Sequence, residues 1–183
     1  DRYLMKIFLG TLNIITGING AGKSSFINQL IIQAMEEEKN VFLFSGELPN
    51  FQTKNWLNSV IAGQRWVEER QYGDSTYYKV RPEAKRAIEE FYRGRLYICE
   101  DGYPNTRTAL MSRIEDSVRK YGTKLVILDN LTAINLECSD DNKYNKQSEF
   151  VMDLIAFAKN FNVAIVLVVH PHKIETMRRL TKM

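Results

Sequence analysis

The stretch TGINGAGKSSF, Thr16 to Phe26, sets three glycines, a lysine and two serines between the apolar run LNIIT and a segment of helical periodicity. Gly17, Gly22, Lys23 and Ser24 satisfy the spacing G-x-x-x-x-G-K-[ST], in the strand-before, helix-after context that this phosphate-binding loop requires. Glycines let backbone N–H groups turn inward around phosphate oxygens, where side chains would obstruct them. The helix that opens near Lys23 adds the positive end of its dipole. In this reading Lys23 neutralises the β and γ charges and the Ser24 hydroxyl ligates Mg²⁺. Asn19, Gly20, Ala21 and Ser25 complete the expected nucleotide contacts.

Outward from the loop, five apolar runs read as buried strands: LNIIT, VFLFS, LYIC, LVILD and VAIVLVV. Runs without alternation are covered on both faces. Helical spacing joins Phe26 to Ala34, Ala84 to Phe91, Leu110 to Tyr121 and Phe150 to Phe161, with Gly122 as an expected C-cap. Strands alternating with helices predict an α/β fold, a mostly parallel sheet with helices on both faces, and ligands beyond the carboxyl ends of its strands. Gln64 to Arg81 reads as irregular or partly helical, and Asn135 to Lys146 as a long loop.

Three acids and a histidine follow strands. LVILD ends in Asp129, suited to hold Mg²⁺ from a strand beside that of the loop. Glu47 follows VFLFS, where a carboxylate can act on water in line with a γ-phosphate; a surface glutamate in a turn fits that spacing equally well. Glu100 and Asp101 form either an acidic lip or secondary contacts to the site. His170 ends the last strand, as a structural residue or as a donor to the γ-phosphate.

Composition narrows the classes. At 183 residues, 44% hydrophobic and 11% aromatic, the chain suits one globular domain. Its net charge of +3 does not by itself argue for nucleic acid or membrane. VAIVLVV is far short of the ~20 residues that a membrane helix needs. Cys99 and Cys138 have neither metal-ligand spacing nor a disulfide framework, as in a reducing compartment.

The glycine loop, FSGE, LVILDNL and VLVVHPHK, in this order, resemble the ATPase domain of hexameric replicative helicases of the DnaB superfamily, RecA-like in core. DNL and the histidine-proline pair look most like the Twinkle and phage primase-helicase branch. The resemblance spans about Leu12 to Lys173. It implies an NTP hydrolase using ATP or another NTP with Mg²⁺, assembled in the full-length protein as a homo-hexamer or related ring on single-stranded DNA, in the cytoplasm of a bacterium or phage-infected cell. Lys23 and Ser24 match the phosphate and magnesium contacts, Asp129 the second magnesium residue, Glu47 the activator of water and His170 the γ-phosphate sensor. DNA contacts are then expected from Asn135 to Lys146 and from the basic tail, notably Lys173, Arg178 and Arg179. In the family a neighbouring subunit's arginine, carried beyond the last of these strands, completes the site. The chain therefore reads as a fragment expected to hydrolyse ATP weakly alone. A RecA- or RadA-like recombination ATPase, or a nucleotide-dependent assembly module, shares much of the pattern.

Overall fold

A computed structural model describes residues 7–137 and 142–170. Five strands form one parallel sheet: β1 (Leu12–Thr16), β2 (Asn40–Ser45), β5 (Leu96–Ile98), β6 (Thr123–Asp129) and β7 (Ala164–Val169), in the order β1-β7-β6-β2-β5. Two further strands, β3 (Val67–Tyr72) and β4 (Ser75–Val80), make a separate antiparallel hairpin. The helices are α1 (Lys23–Glu36), α2 (Asn50–Ala62), α3 (Pro82–Tyr92), α4 (Arg107–Tyr121) and α5 (Lys143–Phe161).

Strand side chains alternate between two cores. Val41, Leu43, Ile127 and Val166 pack with Ile27 and Ile31 of α1 and Leu57 of α2. Phe42, Phe44, Val126, Leu128 and Ile165 pack with Leu110 and Ile114 of α4 and Phe150 and Leu154 of α5. Burying such a side chain contributes roughly 1.5–3 kcal/mol. The inner strands are therefore clamped from both faces, and their tips are rigid places to carry chemistry.

The five expected sheet strands and four expected helices are present, although β1, at the sheet edge, is not buried on both faces as expected, Ile14 being 56% exposed; Gly122 caps α4 in the left-handed region at φ 64°. Four further details differ from the sequence reading. Gln64 to Arg81 is a short 3-10 turn (Gln64–Trp66) followed by the β3–β4 hairpin. α2 has no counterpart in the reading, because only Thr53 and Leu57 of its 13 residues are buried and its apolar stripe is faint. The long loop is shorter, since α5 begins at Lys143. Finally, β7 lies between β1 and β6, so Asp129 does not end the strand next to the glycine loop. That intervening strand brings His170 between the two.

Candidate nucleotide site

The site is assembled at the carboxyl ends of the sheet strands. Thr16 ends β1 and the chain turns through Gly17 to Gly22, whose φ of 83° makes it a left-handed N-cap for α1. A side chain at Gly22 would be strained there, so only glycine opens the helix at little cost. Phe26 is the first residue of the helix whose N–H finds a carbonyl among the described residues, Gly22 O at 3.0 Å. The N–H groups of residues 22–25 are left for a ligand, as expected of a helix start that receives anions. Lys23 reaches back across the loop, its Nζ donating to Gly17 O at 2.8 Å and Ile18 O at 3.0 Å. Those contacts hold the ammonium in the mouth of the loop.

A cavity of about 410 Å³ opens over this turn, lined by Asn19, Gly20, Gly22, Lys23, Ser24 and Ser25 on one side and by Glu47, Trp56, Asp129 and His170 on the other. Gly17 and Ala21 do not line it; they shape the loop, with Ala21 Cβ 3.4 Å from where a side chain at Gly17 would begin. One ligand atom each from Glu47, Asp129 and His170 lies within 4.8 Å of the others. His170 Nε2 approaches Glu47 Oε1 to 2.8 Å, without the alignment of a hydrogen bond. Burial pushes the Asp129 carboxyl above its ordinary range, and Glu47 adds to the push; His170 and Lys23 oppose it.

This crowding of carboxylates fits a divalent cation. Asp129 supplies oxygen and Ser24, lining the same cavity, supplies a hydroxyl, the hard donors that magnesium prefers. A cation there would offset the repulsion that Asp129 meets from Glu47.

The turn carrying Glu47 is fastened at several points. Ser45 donates its hydroxyl hydrogen to Leu48 O at 3.0 Å and accepts one from Thr53 at 3.3 Å. Gly46 N–H donates to Asp129 O at 2.5 Å, drawing the end of β2 onto the end of β6. A methyl group on Gly46 would stand 2.1 Å from Ala133 Cβ, so this approach demands glycine. Asp101 receives the Asn50 N–H on both carboxylate oxygens at 3.1 Å and thereby caps α2, while Glu100 lies 3.6 Å from Arg113. The two acids after β5 are thus outside the cavity lining, Asp101 holding the helix that follows Glu47.

Sequence reading missed Trp56, Gly46 and Asn130. Trp56 lies on the unforeseen α2. Gly46 and Asn130 stand in FSGE and LVILDNL, but nothing in the sequence shows that the two segments touch. Lys173, Arg178 and Arg179 lie outside the described residues, as do Cys138 and part of the expected DNA loop. Cys99 is buried, and burial raises its thiol above the ordinary range, which makes it a packing residue.

A glycine loop, a carboxylate two strands away in the sheet order and a parallel sheet sandwiched by helices make an α/β fold of P-loop, RecA-like build. The family model described as AAA domain matches residues 2–175, and the chain belongs to that family. Among curated proteins it is 26% identical, over 91% of its length, to "Replicative DNA helicase DnaB" of Rickettsia bellii (strain RML369-C). A shorter likeness, 31% over 47% of the chain, is to "UvrABC system protein A" of Chlamydia muridarum (strain MoPn / Nigg), of which it covers 5%. A solved DnaB-like replicative helicase, described with its interactions with primase, has the same fold over 91% of the chain, with a TM-score of 0.73 and 16% identity. The chain spans 35% of the Rickettsia helicase and 41% of that solved chain.

Proposed function

We propose that this domain, residues 1–183, is the ATP-binding and ATP-hydrolysing motor core of a ring-shaped replicative DNA helicase. The observation that carries the reading is the meeting of Glu47, Asp129 and His170 across one cavity from the Lys23 loop. Lys23 and the free amides of residues 22–25 hold the β- and γ-phosphates. Magnesium, held by Ser24 and Asp129, supplies charge neutralisation of those phosphates when bound. Glu47 takes a proton from water as the water oxygen bonds to the γ-phosphorus; the bond from phosphorus to the bridging oxygen breaks, and ADP leaves with that electron pair. His170, packed against Glu47, senses the γ-phosphate and passes its loss to the chain that follows.

In this reading the full protein forms a homo-hexameric ring, works in the cytoplasm and grips single-stranded DNA through sequence-tolerant contacts that include Lys173, Arg178 and Arg179. DNL and the histidine-proline pair support a Twinkle-like branch. Hydrolysis by the isolated chain is weak, because an arginine supplied by a neighbouring subunit is worth about 10³–10⁵ in turnover. Strand displacement on a forked duplex by the full-length protein, with and without ATP and Mg²⁺, tests the reading. Glu47→Gln should cut hydrolysis to a small residual rate and stop unwinding while nucleotide binding persists. Unwinding that survives Glu47→Gln would point instead to a binding switch.

A further inference from the structure

Asn130 is buried, 1% exposed, in a position where its side chain joins two structures that the sequence keeps 83 residues apart. Its Nδ2 donates to Glu47 Oε1. Its Oδ1 accepts from the Thr132 hydroxyl and from the Ala133 N–H, the latter at 3.2 Å, capping the 3-10 turn Leu131–Ala133. A carboxamide can be turned end for end, but a backbone N–H can only donate. Ala133 therefore fixes Oδ1 toward the turn and aims the NH₂ group at Glu47. His170 Nε2 stands 2.8 Å from the same Oε1. Among the described residues no hydrogen bond reaches Oε2.

We propose that Asn130 is the positioning residue for Glu47: it pins Oε1 and leaves Oε2 as the oxygen that takes the proton from water. The inference rests on the hydrolytic role of Glu47 given above. Gly46 serves the same contact by letting the two strand tips close, through its 2.5 Å hydrogen bond to Asp129 O. The arrangement converts a flexible carboxylate into one with a defined lone pair, which is where a general base gains its rate.

Two substitutions separate this role from the capping of the turn. Asn130→Asp keeps an acceptor for Ala133 and replaces the donor with oxygen. Asn130→Ser also keeps a capping oxygen but is too short to reach Glu47. In the full-length protein with single-stranded DNA, each should lower kcat about tenfold or more, with the Kd for a fluorescent ATP analogue within about twofold of wild type. In a Glu47→Gln background neither should lower the residual rate further. A kcat within twofold of wild type, or an equal fold-loss in both backgrounds, overturns the proposal. If Asn130→Asp does not fold, Asn130→Ser decides by the same readings. A wild-type protein that binds ATP without hydrolysing it would instead remove the role of Glu47, and this inference with it.

Discussion

The tip of β2 and the β3–β4 hairpin flank α2 in the chain, and they are held in opposite ways. At the tip, Phe44 and the residues before it are buried against both layers of helices, and the turn beyond is fastened through Ser45, Gly46 and Asn50. The hairpin is anchored at its base by Val67 and Val80, which meet Ala84, Ile88 and Ile61. Beyond that base it runs into solvent, with Tyr72 83% exposed and Tyr78 65% exposed. Its ion pairs, Glu68 with Arg70 and Arg81, are solvent-exposed and add little. A two-stranded ribbon is marginal by itself, whereas a strand clamped from both sides holds a side chain to the precision that catalysis needs. The β2 tip thus suits the general base proposed at Glu47, and the hairpin would not.

Gly46→Ala should break the better-held side most severely. The new methyl group must displace Ala133 and part the tips of β2 and β6, and a misplacement of about 1 Å can cost about 10²-fold in rate. Steady-state ATPase measurements should show that loss in kcat, with much smaller change in nucleotide affinity. Retained turnover would mean that the strand tips tolerate separation.

Val80→Ala attacks the hairpin's anchor. Removing buried methyl groups there should cost about 1–2 kcal/mol. Amide exchange should quicken across residues 67–80 while β2 and β6 keep their protection and nucleotide affinity stays within twofold. Slower exchange in the hairpin than in β6 would reverse the comparison. Replacing Tyr72 by serine, at the exposed end of the ribbon, should move stability by less than about 0.5 kcal/mol.

The smallest effect concerns stability at the site itself. Asp129 has its folded carboxyl raised by burial and by Glu47, so its ionisation opposes folding. Its contribution is fully present below the ordinary carboxylate range and is lost as pH rises through the elevated folded value. Without nucleotide, Asp129→Asn should therefore raise the melting temperature at neutral pH and remove that part of the decline, while abolishing the magnesium dependence of ATP binding. Melting curves from pH 4 to 8 check the sign. An asparagine variant less stable than wild type at pH 7 would contradict it.

Much of this molecule is legible in one dimension because its signals are local. LVILD and VAIVLVV are apolar without alternation because helices cover both faces of the inner strands, whereas LNIIT forms an edge strand whose Ile14 is 56% exposed. The glycine loop announces itself because anion binding by backbone amides restricts residue type at fixed spacing. The hairpin escaped because VEERQY and STYYKV are solvent-exposed beyond their first contact, tyrosines included, and show no alternation of apolar with polar residues, although the intervening Gly73–Asp74 is a turn signal. α2 escaped because it buries so few residues.

By itself, then, the sequence determined the parallel α/β architecture, the glycine loop and the strand ends near which Asp129, Glu47 and His170 stand, since each depends on short-range pattern. Only the tertiary structure decided that β7 lies between β1 and β6, that Gly46 allows two tips to close, and that Asn130 meets Glu47. Strand order and side-chain approach depend on contacts between residues far apart in the chain, where no local periodicity records which segments will touch.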